Sequence, residues 1–114
     1  MMTKSELSAL LHSVYDHVGE GEQFLESAGN YPKVAYWETV WDDSVASGED
    51  YETVVTYQVS HAALRPRDPA LVALKRALNE AGLHPTIYHE RAQEDGGPAY
   101  FHSYMAVDVL EDLT

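Results

Sequence analysis

The sequence predicts an α+β domain: a mostly antiparallel sheet of four to five strands with two helices packed on one face. Three observations predict it. Tyr51 to Val59 (YETVVTYQV) alternates side chains in the two-residue period of a pleated strand, with Tyr51, Thr53, Val55, Tyr57 and Val59 on the drier face. Asp68-Pro69 and Gly82 bracket an apolar stripe with strong helix start and stop signals. The order helix, strands, helix, two strands then matches a sheet with its helices on one side.

Taken in order, Thr3 to Glu6 reads as a capping box, in which the Thr3 hydroxyl takes a free amide and Glu6 reaches back to the cap. The helix it opens carries Leu7, Leu10, Leu11, Val14, Tyr15 and Val18 on one stripe, with Gly19 and Gly21 placed to stop it. Phe24 and Leu25 form a short apolar pair that fits a brief edge strand or a packed loop. Asn30-Tyr31-Pro32 signals a turn, and Lys33 to Trp41 (KVAYWETVW) is rich in β-branched and aromatic residues, as a strand requires. Strict alternation along it puts Trp37 and Trp41 on a shared face.

Asp42 to Asp50 (DDSVASGED) carries turn formers and four acids, too long for a tight hairpin, and reads as a solvated connecting arm. After the central strand come His61 to Leu64 and the break RPRDP. Asp68 is a good N-cap and Pro69 fits the first helical position, where its missing amide is no loss. Leu71, Leu74, Leu78 and Ala81 line the helix that follows. Gly82 ends it in a left-handed conformation, with Leu83 folding back as an apolar contact. Thr86 to Arg91 is a short strand and Ala99 to Val109 a longer one, with QEDGGP between them as a hairpin connection.

Composition narrows the function classes. The chain has 114 residues, which predicts one domain over 1–114. There is no cysteine, which excludes disulfides, thiolate metal sites and a cysteine nucleophile. The start MMTKSELSALL lacks the apolar core of a signal peptide, and no run is long enough to cross a bilayer, so the expectation is a soluble protein made in the cytoplasm. Nineteen Asp and Glu against 7 Lys and Arg give a formal net charge of -12. A protein that grips phosphates needs clustered cations, so tight nucleic-acid binding is not expected; the acidity serves solubility or a surface that DNA slides past.

No catalytic constellation stands out. The Gly96-Gly97-Pro98 run precedes a strand and lacks the phosphate-cradling pattern. His12 and His17 are five apart and diverge around a helix, while His89 and His102, with Glu90, are expected to approach across the last hairpin. Two histidines with no third fixed ligand make a weak metal site. Asp42 with Asp43 and Glu49 with Asp50 sit in a loop, whereas acid-base work needs a carboxyl held rigidly out of water. No serine lies in a nucleophile elbow. The residues favour a non-catalytic protein with no cofactor and no reactive pocket.

The order of signals resembles the tail terminator or tail completion proteins of long-tailed bacteriophages. An N-terminal amphipathic helix (Leu7 to Val18) is followed by an aromatic-Pro step, Tyr31-Pro32, into the apolar strand Val34-Ala35-Tyr36. Then come the Gly48 loop into Tyr51 to Val59, the helix from Asp68-Pro69 to Ala81-Gly82, and a final strand with Tyr100 and Met105 to Val109. The segment SHAALRPRDP departs from the family's outline in being longer and less polar. The resemblance implies a structural virion protein of the tail or neck, forming a ring, commonly six-fold, at the head-proximal end of the tail tube. Tail tube protein and head-connector protein are its implied partners, and DNA passes without specific binding. Other head-tail connectors share this outline, and a bacterial peptide- or protein-binding adaptor is the alternative outside virions. The residues that fit a subunit interface are Trp37, Trp41, Asp42, Asp43, Glu49, Asp50, Arg65 and Arg67.

Overall fold

The computed structural model describes residues 2–27, 29–43, 52–93 and 99–113. Its elements are α1 (Lys4–Val14), β1 (Val18–Glu20), α2 (Glu22–Glu26), β2 (Lys33–Asp42), β3 (Glu52–Ala63), α3 (Pro69–Glu80), β4 (Tyr88–Gln93) and β5 (Ala99–Asp112). The strands form one sheet in the order β1-β2-β3-β5-β4. All neighbours are antiparallel except β1 and β2, so the α+β class holds and the sheet is mixed. β3 lies at its centre, paired along its whole length with β5 from Glu52↔Asp112 to Ala63↔Phe101.

The main core lies between this sheet and two helices. Val55, Tyr57 and Val59 of β3 and Met105, Val107 and Val109 of β5 meet Leu7 and Leu11 of α1 and Leu71, Leu74 and Leu78 of α3. At roughly 25 cal/mol per Å² of apolar surface removed from water, each fully buried Leu contributes about 2 kcal/mol, so the two stripes are what hold the helices down. Both helix starts follow local chemistry. Thr3 and Glu6 form the reciprocal capping box, and the Asp68 carboxylate accepts from the Ala70 amide at 2.9 Å with Pro69 behind it. At the end of α3, Gly82 takes φ +85, its amide bonds the Asn79 carbonyl and the Leu83 amide bonds the Leu78 carbonyl at 2.9 Å. That double bond closes the last turn and folds Leu83 onto the core.

Three expectations are corrected. The first helix ends at Val14, because Tyr15 turns extended and buries its ring; Val18 instead opens β1, parallel to Val34–Tyr36. Phe24 and Leu25 belong to neither a strand nor a loop but to α2, a third helix. It covers the opposite face of the sheet from α1 and α3, where Leu25 packs with Ala35 and Ala62, and Phe24, Tyr31 and Trp37 close over them. Gly19 is needed for this: a Cβ there would sit 2.1 Å from Cγ of Phe24, so only glycine admits the ring.

The third correction concerns register. β2 and β3 pair regularly from Lys33↔Ala62 to Glu38↔Tyr57, then skip Thr39 and resume at Val40↔Thr56. This bulge inverts the alternation, since Trp37 opposes Gln58 while Trp41 opposes Val55, a residue of the other face. The two tryptophans therefore do not share a face. β3 also runs past Val59, carrying Ser60 to Ala63 into the sheet, fully enclosed on both sides.

Candidate functional site: two unlike ends of the sheet

Of the residues singled out as interface candidates, Trp41, Asp42 and Asp43 lie toward the start of β3 and Arg65 and Arg67 follow its end, while Trp37 pairs with Gln58 in its middle. At about 3.3 Å per residue, the 12 residues of this strand separate the ends by roughly 36 Å, in a molecule 49 Å long.

At one end the second half of β2 extends beyond its short neighbour β1, which pairs only as far as Tyr36. The edge from Trp37 onward thus has no strand beside it among the described residues. Val40 is 51% and Trp41 62% exposed, and the Trp41 indole N–H donates to Glu38 Oε2 at 3.1 Å. Large apolar side chains in that position are unusual on a sheet edge unless something covers them. Asp42 closes the strand opposite Val54, and Asp43 accepts from the Thr53 hydroxyl at 2.6 Å, which ties the acidic end of β2 to the start of β3. Trp37 is half-buried in the cluster under α2. Glu49 and Asp50 lie outside the described residues.

At the other end, β3 leaves the sheet at Ala63 and turns through Leu64 to Arg67, whose backbone is left-handed at φ +52. Arg65 Nε lies 3.8 Å from Asp68 Oδ2, a loose contact on a largely exposed side chain that contributes little by itself. Arg67 has no ion pair among the described residues. The two arginines border a cleft of about 290 Å³ beside His61, His89, Phe101 and Ser103. This cleft was not anticipated, and it brings ionisable side chains together where the residue pattern showed no pocket.

Its chemistry is specific. The His61 ring is buried, and its Nδ1 meets the Tyr15 hydroxyl at 2.6 Å. Burial pushes the imidazole down to about 4; the Asp68 carboxylate opposes that shift, and His102 and His89 add to it. Burial likewise raises the Tyr15 hydroxyl well above its ordinary range, so it keeps its proton and serves as a donor. With Tyr15 donating to Nδ1, the ring proton of neutral His61 sits on Nε2. His89 Nδ1 lies 2.7 Å from the Ser103 Oγ. Among the described residues no carboxylate lines the cleft itself; Asp68 acts on His61 from beside it.

The expected approach of His89 and His102 does not occur. Register sets His89 opposite Ser103 and Glu90 opposite His102, so the imidazoles project from opposite faces. His102 Nδ1 pairs with Glu90 Oε1 at 2.9 Å on the far side. Among the described residues, no group of three His, Asp or Glu is arranged to hold a metal ion. No described helix is long and apolar enough to cross a membrane.

Sequence reasoning missed His61. Its one available signal was the run Ser60-His61-Ala62-Ala63, apolar and small enough to continue the strand on both faces. That run begins the same segment, SHAALRPRDP, that departs from the tail-terminator outline. Searches against protein-family models and against curated proteins find no match to the chain.

Proposed function

We propose that this chain is a structural subunit that assembles head to tail into a ring and closes the head-proximal end of a bacteriophage tail tube, stopping tail growth and joining tail to head. The observation that carries the reading is the polarity of the molecule: an exposed aromatic and acidic strand end on one side, an arginine-bordered cleft on the other, separated by most of the length of β3. Unlike, complementary ends suit head-to-tail pairing, and a rotation that closes gives a ring. Six copies is the count carried by the resemblance in sequence order. The net charge of -12 suits a lumen through which DNA moves without being gripped.

In this reading the protein carries no catalytic residue. It is made in the host cytoplasm and ends in the tail or neck of the virion, against the tube and the head connector. Electron microscopy of particles assembled without the protein tests it. Tubes of uncontrolled length, or finished tails unattached to heads, are expected; normal virions would overturn the reading. Light scattering on the purified chain should give a ring-sized particle, alone or once tail tubes are added.

A further inference from the structure

The cleft at the β3 exit is one half of a longer feature. A second hollow of about 510 Å³ adjoins it along α3 and shares Arg67, Leu71 and His89 with it. The joined groove has an apolar floor of Leu71, Val72, Pro85, Ile87 and Phe101 and a cationic rim of Arg65, Arg67 and Lys75. Three of the chain's 7 Lys and Arg line it, and none of the described acids does, in a protein with 19 Asp and Glu. On so acidic a surface, a stretch that combines cations with apolar ground selects a segment that is both acidic and aromatic.

We infer that this groove receives the end of β2 of a second copy, with the Trp41 indole on the apolar floor and the acidic strand end of Asp42 and Asp43 toward Arg67 and Lys75. The inference rests on the ring reading and names its contact. The end of β2 has the required chemistry: an exposed indole, Trp41, followed directly by two acids, with Glu49 and Asp50 further along the sequence. It does not reach its own groove, because Trp41 lies level with Val55, roughly 26 Å of β3 short of the exit at Ala63. Each copy therefore offers one arm and accepts one, as each subunit of a closed heterologous ring does. The rim charges steer and register the arm, while the indole in the hollow supplies most of the affinity.

The test uses the full chain and a fluorescently labelled peptide of residues 38–50. Saturable binding at one peptide per chain, weakened by salt, is expected. The exposed pair Arg67→Glu with Lys75→Glu should weaken it about tenfold or more, as should Trp41→Ala in the peptide, while Arg76→Glu, on the same helix but outside the groove, should change it by about twofold at most. Circular dichroism confirms that the variants fold. Absent binding, equal sensitivity to Arg76→Glu, or displacement by a short DNA duplex at matched concentration would overturn the inference. Rings that form as well in the double variant would also overturn it and leave the ring reading standing. A chain that never associates, even on tail tubes, yet binds the peptide through Arg67 and Lys75 would remove the ring reading and keep the groove as the receptor of this segment.

Discussion

Lowering the pH should destabilise this protein through one buried side chain, His61. Its imidazole ordinarily titrates near 6.5 and is pushed down to about 4 by burial in the folded state. The unfolded chain therefore takes up the proton first. Stability is fully present above the unfolded value and is lost as pH falls from there toward the folded one. Over that whole window the loss is roughly 3 kcal/mol, and between about pH 7.5 and about pH 5 it is roughly 2 kcal/mol. Asp68 draws the value up, and His89 and His102 press it down, so the net shift belongs to the whole β3 exit and not to one neighbour. Urea unfolding followed by circular dichroism at the two pH values measures the loss. His61→Gln, which keeps a hydrogen-bonding group for the Tyr15 hydroxyl but does not titrate, serves as reference. The variant starts less stable, by about 1–3 kcal/mol for the disturbed buried pair, but its further loss on acidification should be smaller than the wild type's by about 2 kcal/mol. Wild type and variant losing stability in parallel would refute the assignment of a buried neutral imidazole.

Three further outcomes follow from the packing. Leu74→Ala empties a fully enclosed site under α3 and should cost about 2–5 kcal/mol in unfolding free energy. Gly19→Ala sets a methyl against the Phe24 ring and should cost about 1–3 kcal/mol; trimming the ring with Phe24→Ala in the same chain should give part of that back, and a strictly additive double variant would count against the close contact. Trp41→Ala should leave the unfolding free energy nearly unchanged, within about 0.5 kcal/mol, while reducing self-association in sedimentation, because the indole is largely exposed and its hydrogen bond to Glu38 lies at the surface.

The parts of the fold that were legible from residues are those fixed by neighbours in sequence. α3 is the clearest: Asp68 and Pro69 start it and Gly82 with Leu83 ends it, all through hydrogen bonds that span five residues or fewer. The faces of β3 and β5 were legible for the same reason, since period-two alternation needs no partner to be read. α2 was not. It has five residues and no side-chain cap, and it exists because Phe24 finds the space over Gly19 and Leu25 the bed of Ala35 and Ala62. Of the candidate site residues, Arg65 and Arg67 were found as a close pair of cations, but the groove they border was not visible, because its other walls come from α3, β5 and the approach to β4.

By itself the sequence determined that this is an α+β domain with a central alternating strand, a well-bracketed helix behind it and an excess of negative charge. Tertiary structure alone decided where α1 stops, since Tyr15 leaves the helical stripe to meet His61, 46 residues away. It decided, too, that a bulge at Thr39 turns Trp41 away from Trp37 and onto an open strand end. The physical reason is common to both. Caps, turns and alternation are settled by bonds along a few residues of chain, whereas strand register and the burial of one polar ring depend on surfaces that meet only once the sheet has formed.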